Sequence, residues 1–309
     1  MKNFIPLLLA ITIIFSSCSS LKGVDSEIIN DKKNRAAEQS QLGTKFFSDS
    51  EYDKALDFFF LALKENISID NEIGIISSYN SIGKTYFVSG DINSADIYFN
   101  KAKNVAEFIQ NTLLISQSLT NLGEIKLSDQ LYDQSMILFE EALSEIEDLG
   151  NIPLKAVILH NMGIINKRKG NLAEAELIVN KALTINKKYT IYKEMASNNY
   201  TLSSIHSKQK DYTTALMYIK EALVLDKKIE NSTGIAKDLY AHGLIYYYLE
   251  LYEDAYIYFQ KSVLIYETLS LSEEVIKTLF KLEETAGKLL LYDEAGIWKK
   301  TREGLETYK

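Results

Sequence analysis

A small residue that returns every 40 positions is the feature that most constrains this 309-residue chain. One copy of the surrounding pattern, from Tyr79 to Ala102, has an apolar segment, a turn at 89–91 and a second apolar segment. Both segments have the spacing of amphipathic helices, and a pattern with a fixed period predicts stacked helical hairpins. The small residue is glycine in five copies and is replaced in two, giving the series Gly43, Gly83, Gly123, Gly163, Ser203, Gly243 and Glu283.

Two further columns have the same period and predict how each hairpin closes. A small residue in the second helix would let it approach the glycine of the first helix, and a large apolar residue four positions later would fill the core. The small column is Ala55, Ala95, Ser135, Ala175, Ala215, Ala255 and Ala295. The large column is Phe59, Phe99, Phe139, Val179, Ile219 and Phe259, followed by Lys299.

The spacing L-G-x-x-Y followed by A-x-x-x-F-x-x-A resembles the tetratricopeptide repeat over about residues 34–309. The period is longer than the 34 residues usual in that family, and the proline that ends the second helix is missing. The resemblance is to the long-unit variety, and it implies an all-α fold, a right-handed α-solenoid of about seven helix-turn-helix repeats. The repeats are expected at about 36–75, 76–115, 116–155, 156–195, 196–235, 236–275 and 276–309.

The last predicted helix differs from the others in its charged residues. Lys299 and Arg302 stand where earlier repeats have apolar or small residues. A terminal repeat has no successor to pack against and needs a polar outer face. We therefore interpret residues 292–309 as a C-terminal cap and expect the array to end with the seventh repeat.

The N-terminal segment is typical of a secreted protein. Residues 1–17 contain one lysine and an apolar run too short to span a bilayer, which is typical of a signal peptide. The sole cysteine, Cys18, follows this run in a stretch that resembles a bacterial lipobox and implies lipidation. The alternative is a plain signal peptide with a chance cysteine. Residues 18–33 are predicted to form a tether, although Ile28 and Ile29 would alternatively cap the first hairpin.

Composition disfavours several classes of function. The net charge of −8 and the lack of a basic run disfavour a nucleic-acid partner. A single cysteine, with three histidines in different columns, predicts no metal site. We find no phosphate-binding glycine loop and no spacing typical of a catalytic triad, so neither a cofactor nor enzymatic activity is expected.

The resemblance also implies a binding surface. In the family, the first helices line a concave groove, and residues three before the glycine and four or five after it face that groove. On this basis Tyr200, Tyr240, Tyr247 and Phe280 are candidate partner contacts, because aromatic side chains dominate binding hot spots. The alternative is that these rings pack between neighbouring first helices.

Two asparagines and several basic residues extend this candidate groove. Asn121 and Asn161 resemble the asparagines that grip peptide backbones in some members of the family; the alternative is that they belong to the repeat consensus. Basic residues at the same surface would supply contacts to carboxylates: Lys84, Lys167, Arg168, Lys208 and Lys237.

The sequence as a whole predicts a non-enzymatic interaction scaffold. It would be a lipid-anchored protein of the bacterial cell envelope, at the outer membrane, that binds a protein or peptide partner in its groove. The alternatives are a module that senses a peptide or ligand, and an accessory component of a solute-uptake or envelope-assembly complex.

Overall fold

The computed structural model describes residues 18–150 and 152–307, and it divides the chain into an N-terminal half, residues 1–147, and a C-terminal half, residues 148–309. The regular elements in the described ranges are all helical. Each half is described by itself. No helix among the described residues is both long and apolar enough to cross a membrane.

The N-terminal half contains three helical hairpins. Within each hairpin the two helices pack together, and each second helix also packs on the first helix of the next hairpin in this half. The helices are α1 Cys18–Ser48, α2 Tyr52–Ser68, α3 Glu72–Ser89, α4 Ile92–Phe108, α5 Thr112–Ser128 and α6 Tyr132–Glu145, and a 3-10 turn follows at Glu147–Leu149.

The C-terminal half contains four hairpins that pack in the same order. The predicted helix pairs are thereby confirmed along the array. These helices are α7 Pro153–Lys169, α8 Leu172–Tyr189, α9 Tyr192–Lys208, α10 Tyr212–Lys228, α11 Ser232–Tyr248, α12 Tyr252–Thr268, α13 Ser272–Lys288 and α14 Tyr292–Glu306.

The first helix begins earlier than the sequence pattern predicts. Residues 18–33, predicted to form a tether, lie in α1 together with residues 34–48. The pattern lacks an apolar period there, but a helix that has already nucleated gains one hydrogen bond for each residue it adds. The segment also contains no proline to stop it. The segment is therefore helical, and its role as a tether stays a prediction.

The glycine column marks where paired helices touch. A Cβ atom built on Gly83 would lie 2.7 Å from the ring of Phe99, and one on Gly243 would lie 2.6 Å from the ring of Phe259. These distances are shorter than van der Waals contact, so a larger residue would push the helices apart. This confirms the predicted close approach.

Most helices in the described ranges end in a turn of the same geometry. After Ser89, for example, Gly90 is left-handed, and the amide of Asp91 donates to the carbonyl of Tyr86 at 2.9 Å. Such bonds satisfy carbonyls that the helix end leaves without a partner. A left-handed residue recurs every 20 positions in the described residues, and most are not glycine: Ser50, Asp70, Gly90, Gln110, Gln130, Gly150, Gly170, Thr190, Lys210, Glu230, Glu250, Ser270 and Leu290.

The last helix has the polar character expected of its sequence. None of the described residues of α14 is buried. Its Arg302 donates to a carboxylate oxygen of Glu283 on α13 at 2.9 Å. The exposed side chains of this helix include Lys299 and also Ile297, so its role as a C-terminal cap stays a prediction.

Candidate functional site

The C-terminal half has a polar pocket at the first helices of three successive hairpins. It has a volume of about 360 Å³, and α7, α9 and α11 supply most of its walls. Its wall includes residues four and five positions after the glycine of α7, as the family groove predicts. We define the polar pocket by its charged residues: Lys167, Arg168, Lys193, Asp226, Lys237 and Asp238.

A chain of hydrogen bonds reaches the wall of the polar pocket at His160 and Ser197. The amide nitrogen of Asn186 donates to the amide oxygen of Asn198 at 2.8 Å. The amide nitrogen of Asn198 lies 2.8 Å from Nδ1 of His160, so Nδ1 accepts the bond. The protonated Nε2 then donates to the hydroxyl of Ser197 at 3.2 Å. Burial lowers the pKa of His160 to about 4, which keeps this imidazole neutral near pH 7.

Two carboxyl groups occupy the corresponding position in the next repeat. Asp226 and Asp238 stand 40 residues after Asn186 and Asn198, and both are buried. Burial, followed by the charge of Asp226, raises the pKa of Asp238 to about 8. Burial also raises the pKa of Asp226, while a hydrogen bond that Asn231 donates to its Oδ1 at 2.9 Å opposes that rise. Asp238 therefore carries a proton at neutral pH and shares it with Asp226.

A half-buried lysine lines the polar pocket together with this carboxyl pair. Lys167 donates to the hydroxyl of Ser204 at 3.4 Å. Burial, followed by the nearby charges of Lys208 and Arg168, lowers the pKa of Lys167 to about 8. An ammonium group held among other cations gains more from an incoming anion than a solvated lysine does.

A second pocket, of about 380 Å³, shares Tyr200 with the polar pocket. The rings of Tyr212 and Tyr248 stack in it with 6.0 Å between their centroids. Ser204 and Ser207 add hydroxyl groups, while Leu244 and Ile245 are among its apolar residues. We call it the tyrosine pocket. Its mixed lining suits a side chain that is partly apolar.

Tyr200 is the predicted contact residue that the structure places at these pockets. It lies on α9, is half-buried and lines both of them. Its role in binding a partner stays a prediction.

Tyr240 lies in the hydrophobic core of the C-terminal half. Its side chain is only 7% exposed, and its ring centroid lies 5.5 Å from that of Phe259. The ammonium of Lys277, on the following hairpin, lies 4.9 Å from the same ring. Other residues three positions before the column residue are also buried, including Asn80, Thr120 and His160. The burial of Tyr240 favours the alternative that its ring packs between neighbouring helices, and its role in binding a partner stays a prediction.

Phe280 and Tyr247 lie away from the two pockets. Phe280 has the same phase as Tyr240 but is 45% exposed, since no hairpin covers it among the described residues. The guanidinium of Arg302 lies 5.7 Å from its ring. Tyr247 is half-buried, with the ring of Tyr252 at 5.5 Å and Lys281 at 5.2 Å. Binding by these two residues stays a prediction.

The two predicted asparagines lie in different halves of the chain. The amide nitrogen of Asn121 donates to the amide oxygen of Asn80 at 3.0 Å, so a protein group already uses part of its hydrogen-bonding capacity. Asn161 is buried in the C-terminal half. Their predicted grip on a peptide backbone stays a prediction for each residue separately.

The remaining predicted sites concern the N-terminus and metals. The predicted signal peptide, residues 1–17, lies outside the described residues. Cys18 is the first residue of α1, and its acylation stays a prediction. In the part of the chain that the structure describes, no group of three or more histidine, cysteine or acidic side chains has the arrangement of a metal site.

The sequence pattern did not single out the carboxyl pair. It predicted Lys167 as a contact to carboxylates but did not connect it with Asp226 and Asp238. Asp226 and Asp238 lie 12 positions apart, the same separation as Asn66 and Ser78 or Asn186 and Asn198, which also meet across a turn. That repeated separation is the signal that identifies the pair.

Comparisons with known proteins identify the repeat. Models of the tetratricopeptide repeat match residues 114–188, and also residues 76–108 and 196–229. No curated protein sequence matches the chain.

Solved structures with similar folds include two regulators and a phosphatase. The apo quorum sensor NprR from B. thuringiensis is 18% identical, with a TM-score of 0.69 over 95% of this chain and 84% of that chain. The Rap conjugation gene regulator of plasmid pLS20, in complex with the Phr* peptide, is 19% identical, with a TM-score of 0.64 over 86% and 74%. Aspartyl phosphate phosphatase F from Bacillus subtilis is 14% identical, with a TM-score of 0.67 over 93% and 74%.

At these identities the similarity concerns the fold alone. Together with the matches to the repeat family, it shows that this chain contains tetratricopeptide repeats and that its described residues have an all-α repeat fold.

Proposed function

We propose that this chain is a non-enzymatic scaffold that binds a peptide, or an extended segment of a partner protein, at the face formed by α7, α9 and α11. One observation carries the proposal: two adjacent pockets of about 360 and 380 Å³ share Tyr200 and differ in chemistry. Each has the size of a small ligand site. Neighbouring pockets of different character suit successive side chains of one extended chain.

The walls of this face are suited to binding. The lining side chains project from helices that are packed against their neighbours, so the backbone loses little conformational freedom when a ligand arrives. Tyrosines supply a large contact area with a polar end, which is typical of binding hot spots.

The similar structures support a peptide as the partner. One was solved with the Phr* peptide, and another is a quorum sensor. The name of phosphatase F raises catalysis as another possibility, but at 14% identity that structure supports the fold only. Binding without catalysis is therefore our proposal for this chain.

We further propose that the scaffold is anchored to a bacterial envelope membrane through a lipid on Cys18. The support for this part comes from the sequence, where the only cysteine follows a signal-like run. The anchor would hold the binding face near the membrane surface.

A ligand-sensing module is the second candidate function. The two pockets favour it, because they suit a small peptide as well as a segment of a large partner. An accessory role in a solute-uptake or envelope-assembly complex is a third possibility.

Affinity purification of the full chain from detergent-solubilised membranes, followed by mass spectrometry, distinguishes these functions. A co-purifying protein supports the scaffold, and a short peptide supports the sensor. The Ser207→Trp variant, which fills the tyrosine pocket, should lose either partner. The matched Thr184→Trp variant, on an exposed position of α8, should retain it. Equal recovery with both variants would place binding elsewhere.

A further inference from the structure

We propose that the polar pocket binds an oxyanion, a carboxylate or phosphate group carried by the ligand. The proposal rests on the binding function proposed above and specifies the chemistry of the ligand. It stands on the arrangement of charge around the cavity: Lys167, Arg168, Lys193 and Lys237 supply four cations. Asp226 and Asp238 supply the opposing charge among the described residues that line it.

The carboxyl pair does not neutralise these cations. Asp238 is 1% exposed and lies against Asp226, and two buried carboxylates at one place repel each other strongly. One shared proton removes that repulsion and leaves a single negative charge on the pair. His160 remains neutral, so the pocket has an excess of positive charge near pH 7. A cationic ligand is therefore disfavoured.

Lys167 is the cation best placed to bind the anion. It is half-buried, and its hydrogen bond to Ser204 aims it between the two pockets. On its own helix it faces Arg168 and His160, and on α9 it faces Lys208. An ammonium group that is partly desolvated forms a strong charge-assisted hydrogen bond with an oxyanion.

Proton uptake should accompany binding. A bound anion stabilises the charged form of Lys167 and the neutral form of Asp238, so it raises the pKa of both groups. Asp238 faces Asp226 on α10, Tyr200 on α9 and Lys237 on its own helix. Affinity for the anion should be nearly constant below about pH 8. Above that pH it should fall by about tenfold per pH unit for each proton taken up.

Titration of simple ions into the ¹⁵N-labelled full chain tests the inference. The probes are inorganic phosphate, acetate and, as the cationic comparison, methylammonium. Phosphate or acetate should produce saturable shifts in the backbone amide signals of Ser197, Thr201 and Gly234, and methylammonium should not. The tighter of the two anions identifies the group that the ligand carries.

Matched variants decide whether the pocket is responsible. Lys167→Gln combined with Lys237→Gln should weaken anion binding by about a hundredfold, because each lost charged hydrogen bond typically reduces affinity by about tenfold. Lys187→Gln removes one charge from an exposed position of α8 and should leave binding nearly unchanged. Equal affinity in the double variant and the parent, or shifts with methylammonium alone, would overturn the inference.

The test separates this inference from the proposed function. A peptide that binds this face while phosphate and acetate do not would leave the function standing and refute the oxyanion site. Anion binding without any peptide or protein partner would support the oxyanion site and refute the proposed function.

Discussion

Val179 occupies the space that a side chain on Gly163 would need. A Cβ atom built on Gly163 would lie 2.3 Å from Cγ2 of Val179 and 3.5 Å from the carbonyl oxygen of Ala175. Alanine favours a helix over glycine by about 1 kcal/mol, whereas overpacking costs about 1–3 kcal/mol. We expect Gly163→Ala to lower the free energy of unfolding by roughly 1 kcal/mol, measured by urea denaturation.

Two further variants isolate this contact. A Cβ atom built on Gly296 of α14 would meet no heavy atom of the described residues within 4 Å, so Gly296→Ala should be neutral or stabilising. Val179→Ala should rescue part of the loss when combined with Gly163→Ala, because neighbouring substitutions are not additive. If the losses of the two substitutions were strictly additive, or if Gly163→Ala were as stable as the parent, α7 and α8 would not be in close contact here.

Stability should depend on pH through Asp238. The folded chain holds the Asp238 proton up to about pH 8, whereas an unperturbed aspartate loses its proton near pH 3.8. At Asp238 the folded state therefore binds more protons than the unfolded state between these values, and the contribution of Asp238 to stability falls as pH rises from about 4 to 8. Above about pH 8 this contribution is lost and changes no further.

Asp238→Asn should remove the contribution of Asp238 to the pH dependence of the free energy of unfolding. The reason is that an amide keeps a hydrogen-bond donor beside Asp226 at every pH. The free energy of unfolding, measured across this pH range, should be higher for the variant than for the parent at about pH 8. Asp254→Asn, at an exposed position, should keep the slope of the parent. Parallel curves for Asp238→Asn and the parent would contradict a shared proton.

Tyr240 and Phe280 have the same repeat phase but should respond differently to truncation. Tyr240 is packed against Phe259, so Tyr240→Ala should lower the free energy of unfolding by about 3 kcal/mol. Phe280 is exposed, and Phe280→Ala should cost less than about 1 kcal/mol. Thermal melting of both variants checks the difference. Equal losses would mean that Phe280 is as well packed as Tyr240.

The lipid anchor predicts how the protein fractionates. Cys18→Ala removes the only thiol in the chain and should move the protein from the detergent phase to the aqueous phase. Metabolic labelling with an alkyne fatty acid should mark the parent and leave the variant unlabelled. Retention of the variant in the detergent phase would argue against acylation at this residue.

The helix pairs and the close contact at the glycines could be predicted because they repeat. Gly83 and Phe99 recur together at one phase, so several copies support a single inference. The orientation of Tyr240 could not be predicted in the same way. A first helix contacts its partner helix and the helices of neighbouring hairpins, so helical periodicity does not separate the groove face from the face between repeats.

The polar pocket escaped prediction for a related reason. The carboxyl groups of Asp226 on α10 and Asp238 on α11 meet in this pocket, and Lys167 comes from α7. The chemistry of the pocket therefore depends on contacts between different hairpins. The sequence did suggest Lys167, Arg168 and Lys237 as contacts to carboxylates. Only the structure shows that they share a cavity with Asp226 and Asp238.

Site-specific photo-crosslinking tests the central claim most directly, that a partner binds the face formed by α7, α9 and α11. A benzophenone amino acid is placed at Ser197, which lines the polar pocket, or at Met217 on α10, which is 59% exposed and lies outside both pockets. After irradiation in cells that produce the protein, mass spectrometry identifies what is attached. We predict a single peptide or partner-protein adduct at position 197 and none at position 217. An adduct at position 217 with none at position 197 would contradict the account.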